Sequence, residues 1–580
     1  MPEQRAKSRK ASAKSQRLAR EKQPARKTPS HRWIYVAAAA VVLYVVFQVY
    51  APALSGPFVF DDQYQPYHTP GFPSALGAWV KGVRPLLMLS YWINSQIAQT
   101  PAGFHITNVF IHLLNGILIF LLVRKFLGPE SNDWMLPGFA AAVFLLHPIQ
   151  TECVAYIAGR SESLSVFFFL AAFAVFLYRP TPAISWKTTI AVLALFGAAV
   201  MTKEHTVVLP ALLLLTDYYW NPGFSLSGIR RNWRLYIPVA ALAAGGLIFV
   251  WKVLASSVTA GFHTPGFTWY QYFFTECRAF FVYLRLLVLP VGQDLDWDYA
   301  ASHNILDHGA IFALAAVLLL TGLAIYFRRR YPLISYGFLV YLLLLAPTSS
   351  FVPIRDPLAE RRLYLPMIGI LLVVTGALAR IHVDRRKLAA AFGVVLLVLS
   401  VATYQRNELW GSDIALWEDT ALKSPHKQRV IFQLGRLYYD NGRCSDALRE
   451  YATAAQLQKP DYGLLVDWGL AYDCVDQPDE AIAKFRQAAA LEPKAHVYSQ
   501  IAMVYAKHSE WPQALQALAQ AEKIDPNYDM IYDTRGGIKA KNNDFAGAAA
   551  DYKRAVELNP LNQHAQQMLN VVEQQLKPSQ

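Results

Sequence analysis

Two adjacent carboxylates, Asp61 and Asp62, stand in the stretch GPFVFDDQYQPYHTP, residues 56–70, directly after the apolar run WIYVAAAAVVLYVVFQVYAPAL. Like charges side by side repel, so each needs water, a cation or a hydrogen-bonding partner. One of the pair can act as a general base if its geometry and pKa suit proton transfer. The other can orient it, raise its pKa by repulsion or share a cation. A divalent cation, Mg or Mn, is a candidate for the pair, and its requirement is left open. Basic side chains come from separate polar segments: Arg84, Arg160, Lys203, Arg355, Arg361 and Arg362. Arginine suits bidentate contact with phosphate, and lysine serves as a point charge. A carboxylate base with a phosphate clamp at a bilayer edge suits group transfer from a lipid-linked phosphate to a hydroxyl. The hydroxyl would attack the sugar carbon, the carboxylate would take its proton, and the cations would stabilise the departing phosphate.

Each of these residues also has a plainer reading. Asp61 and Asp62 could start a solvated loop. Glu152 with Arg160 and Glu162 could be an ion-pair network joining two helices, and Lys203–Glu204 an interfacial pair. His147, before Pro148, reads as a hydrogen-bonder at a helix end ahead of a ligand or base. Tyr364 lies one helical turn after Arg361 and is expected to face the same cavity. GxGxxG, Walker A, HExxH and zinc spacing are all missing, and none of Cys153, Cys277, Cys444 and Cys474 forms CxxC. Cys444 and Cys474 are read as two independent buried thiols ahead of a disulfide.

The elements that must position these residues are apolar helices. The chain has 580 residues, 54% hydrophobic and 16% charged, with a mean hydropathy of +0.22. Before residue 404 apolar runs alternate with short polar loops; after it the sequence is polar and Ala-rich. A span needs about 20 apolar residues. Candidates lie near 33–50, 105–123, 136–150, 161–178, 186–201, 204–219, 235–253, 308–327, 333–347, 360–380 and 387–404, giving about eleven crossings. Lys and Arg clusters at Arg124-Lys125, Arg179, Arg230-Arg231, Arg328-Arg329-Arg330 and Arg385-Arg386 then fall inside, as the positive-inside rule asks. Segment 269–290 carries Glu276, Arg278 and Arg285 and is read as lying at the outer interface. Residues 1–32 hold eleven Lys or Arg against Glu3 and Glu21. They read as a disordered tail keeping the N-terminus in the cytoplasm rather than as a nucleic-acid arm, so no nucleic-acid partner is expected. On this count the acidic pair, the first outer loop 51–104 and the basic segments share the outer face.

The C-terminal part, 405–580, repeats every 33 or 34 residues, near 428–461, 462–494, 495–528 and 529–562. First-helix positions carry Gly435 and Tyr438, Gly469 and Tyr472, Ala502 and Tyr505, then Gly536. Second-helix positions carry Ala447, Tyr451 and Ala454, and their counterparts at Ala481, Phe485 and Ala488. Small residues let paired helices approach while the aromatic fills the gap between pairs. This resembles tetratricopeptide repeats, a superhelix with a concave groove. The fold class is therefore all-α: a polytopic membrane domain over 33–404, then a repeat superhelix.

FVFDD, RPLLMLSYWIN with GFHITNVFIHLLNGILIFLLVRK, HPIQTECVAYIAGRSESLSVFFFL, TKEHTVVLPALLLLTD and AERRLYLP occur in this order ahead of the repeats. Together they resemble the transmembrane and tetratricopeptide-repeat (TMTC-type) protein O-mannosyltransferases, which are similar to other C-type glycosyltransferases using polyprenyl-phosphate sugars. The resemblance implies an acidic catalytic base in the first outer loop, Asp61 ahead of Asp62. It implies that Arg361, Arg160, Lys203 and Arg84 approach the lipid phosphate, with Glu152, Glu162, Glu204 and Glu360 orienting them. The implied reaction moves a hexose, mannose among the choices, from a polyprenyl-phosphate donor to Ser or Thr of an exported protein recruited by the repeat groove. Rival readings are a transferase with a lipid or glycan acceptor, a non-enzymatic membrane scaffold and a transporter. The expected location is a bacterial inner membrane with the repeats in the periplasm, or the ER membrane with lumenal repeats.

Overall fold

The computed structural model describes residues 32–128, 134–257, 259–264, 266 and 268–576. The basic tail read over 1–32 therefore lies outside the described residues except at its last position. Among the described residues every regular element is helical, and they hold no strand beyond one isolated antiparallel bridge between Ala260 and Ile354. Contacts divide the chain into Met1–Gln48 and Val49–Gln580. Of the first unit the structure describes the opening turns of helix Arg32–Leu54, which present Trp33, Val36, Val41 and Tyr44 outward. An Ala/Val run without charge makes such a surface suited to lipid.

Among the described residues six helices are long and apolar enough to cross a membrane: Val36–Leu54, Pro101–Leu127, Arg160–Leu177, Trp233–Ser256, Asp307–Arg329 and Arg385–Trp410. These make the chain a membrane protein. Met135–Leu146, Trp186–Val200, Pro332–Leu345 and Met367–Leu378 are apolar but shorter, and Leu209–Trp220 has only 12 residues. At about 1.5 Å per residue such helices rise about 18–23 Å, less than a hydrocarbon core of about 30 Å. The expected eleven crossings thus resolve into six full-length helices and five short ones. For three of the five the cause is visible in the chain: Pro148, Pro210 and Pro366 stand at helix starts. Proline removes a donor and clashes with the preceding turn, so each apolar run breaks into a 3-10 turn and a helix. The 3-10 turns Pro148–Gln150, Glu204–Val208 and Glu360–Leu363 carry or flank the polar motifs. Irregular backbone inside a membrane domain is tolerated where it is buried in protein or lines a cavity.

Helix Trp269–Val288 is closed at its start by a reciprocal Thr268–Gln271 capping box. Its Glu276 pairs with Arg362 at 3.3 Å, which explains one of the charges that kept this segment off the list of spans.

Beyond helix Asp413–Lys423, paired helices begin at Gln428, Tyr462, Ala495 and Asp529, and helix Gln563–Leu576 follows them. Glycine is required where the aromatic of the second helix meets the first. A Cβ on Gly469 would lie 2.6 Å from the Phe485 ring, and one on Gly435 2.8 Å from Tyr451. Ala447, Ala454, Ala481, Ala488, Ala514, Ala521, Ala548 and Ala555 are fully buried. Each pair turns through one left-handed residue: Gly442, Asp476, Ser509 and Asn543 have φ of 74, 60, 63 and 63°. The following N–H groups, of Arg443, Gln477, Glu510 and Asp544, reach back to the carbonyls of Tyr438, Tyr472, Tyr505 and Lys539. This is the Schellman closure, repeated four times with glycine used only once.

One expectation is corrected here. Cys444 and Cys474 are joined as a disulfide with a Cα–Cα distance of 6.1 Å, not two separate thiols. Stacking of neighbouring repeats brings the start of helix Cys444–Leu457 onto the end of helix Tyr462–Cys474. Cys153 and Cys277 are free and buried.

Candidate active site

The chain leaves helix Arg32–Leu54 and enters the 3-10 turn Phe60–Tyr64. Phe60 takes a left-handed φ of 50°, a conformation costing a bulky L-residue about 1–2 kcal/mol. The two aspartates that follow part company. Asp62 turns inward and is fully buried. Its carboxylate accepts from the N–H of Val59 (3.2 Å), the Tyr67 hydroxyl (3.0 Å) and the N–H of Ala158 (2.8 Å). Burial pushes its pKa up to about 7 against the pull of those donors. Asp61 is exposed and lines a cavity of about 640 Å³. Its N–H donates to the Tyr156 hydroxyl at 2.9 Å, while its carboxylate has no hydrogen-bonding partner among the described residues.

Three cations reach the same cavity, each held by one glutamate. Arg84 makes a fork to Glu204, Nε–Oε1 2.9 Å and Nη2–Oε2 3.0 Å. Lys203 Nζ donates to Glu162 and, at 3.2 Å, to Ser161 Oγ. Arg361 Nη1 lies 2.6 Å from Glu152 Oε1, and its N–H donates to the other oxygen at 2.8 Å. The partners are far apart in sequence, yet each pair unites two different polar segments. Arg84 and Arg361 keep 36% and 34% of their side chains exposed, so their remaining N–H groups are open to a ligand. With Arg362 added, four basic and four acidic side chains line the cavity: Asp61, Glu152, Glu162 and Glu204 against Arg84, Lys203, Arg361 and Arg362. The site is charge-balanced, and its cations are fixed in place rather than in surplus. The far wall is apolar, with Val250, Leu254, Val352 and Ile354. Beside it two segments are tied together where the N–H groups of Gly261 and Arg355 donate to the carbonyls of Pro353 and Thr259.

Several expected site residues lie elsewhere. Arg160 is fully buried and does not line the cavity. Its guanidinium donates to Asn108 Oδ1 (2.7 Å), Asn94 Oδ1 (2.8 Å) and the carbonyls of Phe104 (3.0 Å) and Ser90 (3.3 Å). It sits 4.7 Å over the Tyr91 ring. It locks helices Pro85–Ile97, Pro101–Leu127 and Arg160–Leu177 together and pairs with neither Glu152 nor Glu162. Tyr364 is buried too. Its hydroxyl meets His112 Nδ1 at 2.8 Å and accepts from Asn115 at 3.1 Å, because the 3-10 turn at Glu360–Leu363 rotates it away from Arg361. Glu360 accepts from Gln293 Nε2 and the N–H of Asp294, both at 2.6 Å, and orients no cavity cation. His147 is a helix-end hydrogen-bonder: Nδ1 accepts from the Ile149 N–H, and Nε2 lies 3.1 Å from the Leu287 carbonyl. The sequence reading passed over two cavity residues. Tyr156 anchors Asp61, and His205 Nε2 lies 3.5 Å from Glu162 with its Nδ1 buried and unpartnered. Both stand inside quoted motifs, HPIQTECVAYIAGRSE and MTKEH, and that was the available signal.

The acidic pair does not converge on a shared ligand. Both Asp62 oxygens already accept protein donors, so only Asp61 could offer an oxygen to Mg or Mn. Among the described residues no group of three His, Cys, Asp or Glu is arranged to hold a metal ion.

Comparison with known proteins gives consistent relatives. The chain is 25% identical over 550 residues to "Protein O-mannosyl-transferase TMTC3" of Mus musculus, covering 86% of this chain and 59% of that protein. It is 24% identical over 441 residues to "Protein O-mannosyl-transferase F38B6.6" of Caenorhabditis elegans, covering 71% and 61%. It is 25% identical over 489 residues to "Protein O-mannosyl-transferase TMTC1" of Homo sapiens, covering 72% and 55%. The chain thus spans about three fifths of the length of these relatives. No family model matches it. Among solved structures it is similar to "YrrB: a TPR protein with an unusual peptide-binding site" (17% identity, 30% of this chain and 88% of that one, TM-score 0.23). It is also similar to TTC0263, a thermophilic TPR protein of Thermus thermophilus (17%, 31% and 96%, TM-score 0.26). Likeness at this level carries no argument about the site.

Proposed function

On the premise that these relatives support the chain as TMTC-type, we propose that it is an inverting, integral-membrane glycosyltransferase with a C-type glycosyltransferase architecture. It moves a hexose, mannose by the names of its relatives, from a polyprenyl phosphate to a Ser or Thr hydroxyl of an exported protein. One observation carries the reading: an unpartnered carboxylate, Asp61, shares a cavity with three cations that glutamates hold in place. The acceptor hydroxyl approaches Asp61, which takes its proton as the oxygen attacks the sugar's anomeric carbon. The carbon–phosphate-oxygen bond breaks on the opposite side, and the electron pair stays with the polyprenyl phosphate. Arg361, Lys203 and Arg84 are preorganised to receive that charge. The apolar wall at Val250, Leu254, Val352 and Ile354 gives the lipid tail a path from the bilayer.

The proposed orientation puts the N-terminus in the cytoplasm and the cavity with the repeats on the opposite side, the periplasm of an inner membrane or the ER lumen. The repeats then recruit the acceptor polypeptide.

The test is label transfer from radiolabelled polyprenyl-phosphate hexoses to an exported-protein extract. Asp61→Asn is expected to lower the rate by about 10²–10⁴-fold, the usual contribution of a general base, with the fold intact because its carboxylate bonds nothing. Label moving only to lipid or glycan overturns the protein acceptor. No transfer from any donor, with partner binding retained, favours the scaffold. Activity lost to a chelator and restored by Mg or Mn would show that a cation takes part.

A further inference from the structure

The turn that carries Asp61 is gripped from outside by the first helices of the repeat region. Phe60 keeps its left-handed backbone, which persists only where the surroundings enforce it. Its ring meets Trp417 edge-on at 5.6 Å, and the Arg429 guanidinium lies over the ring, 6.0 Å from its centre. Trp417 is buried in helix Asp413–Lys423. Four residues beyond Phe60, the Tyr64 hydroxyl accepts from Arg436 at 3.5 Å. Below the turn, Trp410 stacks on Tyr156 at 5.8 Å, and the Tyr156 hydroxyl receives the Asp61 N–H.

The same helices hold the opposite rim. Lys427 and Arg429 pair with Asp296 and Asp356. The carbonyls of Asp356 and Pro357 accept from Arg362, next to Arg361. Arg429 therefore touches both sides: Phe60 beside the base and Asp356 on the segment that leads to the phosphate-facing arginine. Two acids against two bases make this contact neutral and mutually satisfied, as a fixed joint requires.

We propose that the first repeat helices assemble the active site, with Trp417 and Arg429 as positioning residues that aim Asp61 into the cavity and set its distance from Arg361. The repeat region is then part of the transfer machinery and not only a carrier of acceptor. This rests on the transferase reading given above for what is aimed, while the grip itself is a property of the fold. A one-ångström misplacement of a catalytic group costs rate more than binding.

The experiment uses the full chain in detergent with Trp417→Leu, Trp417→Phe and Phe60→Leu, read by donor kinetics and by amide hydrogen exchange. Trp417→Leu is expected to lower kcat at least tenfold with donor KM changed less than about twofold, and Trp417→Phe to restore kcat to within about threefold. Amides of residues 60–65 should exchange about tenfold faster in Trp417→Leu, with those of Tyr462–Cys474 unchanged. If Trp417→Leu does not fold, Phe60→Leu tests the same contact from the other partner. Unchanged kcat and unchanged exchange in a folded variant overturn the proposal. A wild type that transfers from no donor fails the transferase reading instead, and the exchange arm alone then decides the grip.

Discussion

Arg160 is a buried structural arginine and Arg361 a cavity-facing one, and the difference can be measured. Its guanidinium makes four hydrogen bonds to two asparagine side chains and two carbonyls, with no solvent exposure. Removing it leaves two buried amide oxygens, of Asn108 and Asn94, without a donor, while the carbonyls of Phe104 and Ser90 stay inside helices. Each orphaned group costs about 1–3 kcal/mol, and the vacated volume adds to that, so Arg160→Met should lose at least about 2 kcal/mol. Lysine keeps the charge but has a compact head, which cannot fork between Asn108 and Asn94 as the planar guanidinium does. Arg160→Lys should therefore also lower the apparent melting temperature by several degrees. The assay is thermal unfolding in detergent, with monodispersity checked, beside donor KM on the folded fraction. We expect the melting point to fall and KM to hold. Arg361→Lys should do the reverse, holding stability and losing kcat/KM, because its side chain is a third exposed and opens on the cavity. An Arg160→Lys protein that melts within about 1 °C of wild type but needs tenfold more donor would refute the reasoning.

Asp62 makes stability depend on pH. Its folded pKa of about 7 stands above its ordinary 3.8, so between these values the folded state holds a proton that the unfolded chain has released. Stability then falls as pH rises from about 4 to 7, by on the order of 4 kcal/mol at most. In Asp62→Asn the melting temperature should vary less over that window, and an unchanged slope would count against the assignment. Opening the 444–474 disulfide should cost about 3–4 kcal/mol by loop-closure entropy, read as a lower melting temperature of Cys444→Ser against wild type. Ser509→Gly should stabilise the repeats by up to about 1 kcal/mol, since Ser509 pays for a left-handed φ that Gly442 adopts freely; a lower melting point would contradict this.

Much of this architecture was legible in the chain. Apolar runs locate the eleven helices expected as crossings, though not Pro85–Ile97, and the 33–34-residue spacing locates the starts of the repeat helices, because both follow from local periodicity. Helix length was less readable, since Pro148, Pro210 and Pro366 shorten spans that composition alone would extend. The motifs mark segments that border the cavity but not which side chain faces it. Asp61 and Asp62 are equivalent as letters, and the left-handed turn at Phe60 sends one in and one out. Arg160 and Arg361 both sit beside glutamates in sequence, yet Arg160 finds asparagines and Arg361 finds Glu152, 209 residues away. Such pairings depend on how helices pack and leave no local pattern. His205 and Tyr156 were missed for the same reason: nothing in their neighbours distinguishes a cavity residue from a core one.

The link between Cys444 and Cys474 carries a consequence for the whole chain. Cytosolic thiols are kept reduced, while the periplasm and the ER lumen allow oxidation. In the proposed orientation the first two repeats lie on the periplasmic or lumenal side, where the bond persists. It therefore acts as a built-in indicator of sidedness: a shift in gel mobility on reduction, in protein taken directly from cells with free thiols blocked, reports on which side the repeats lie. Molecules inserted upside down would stay reduced and carry a loosened first repeat.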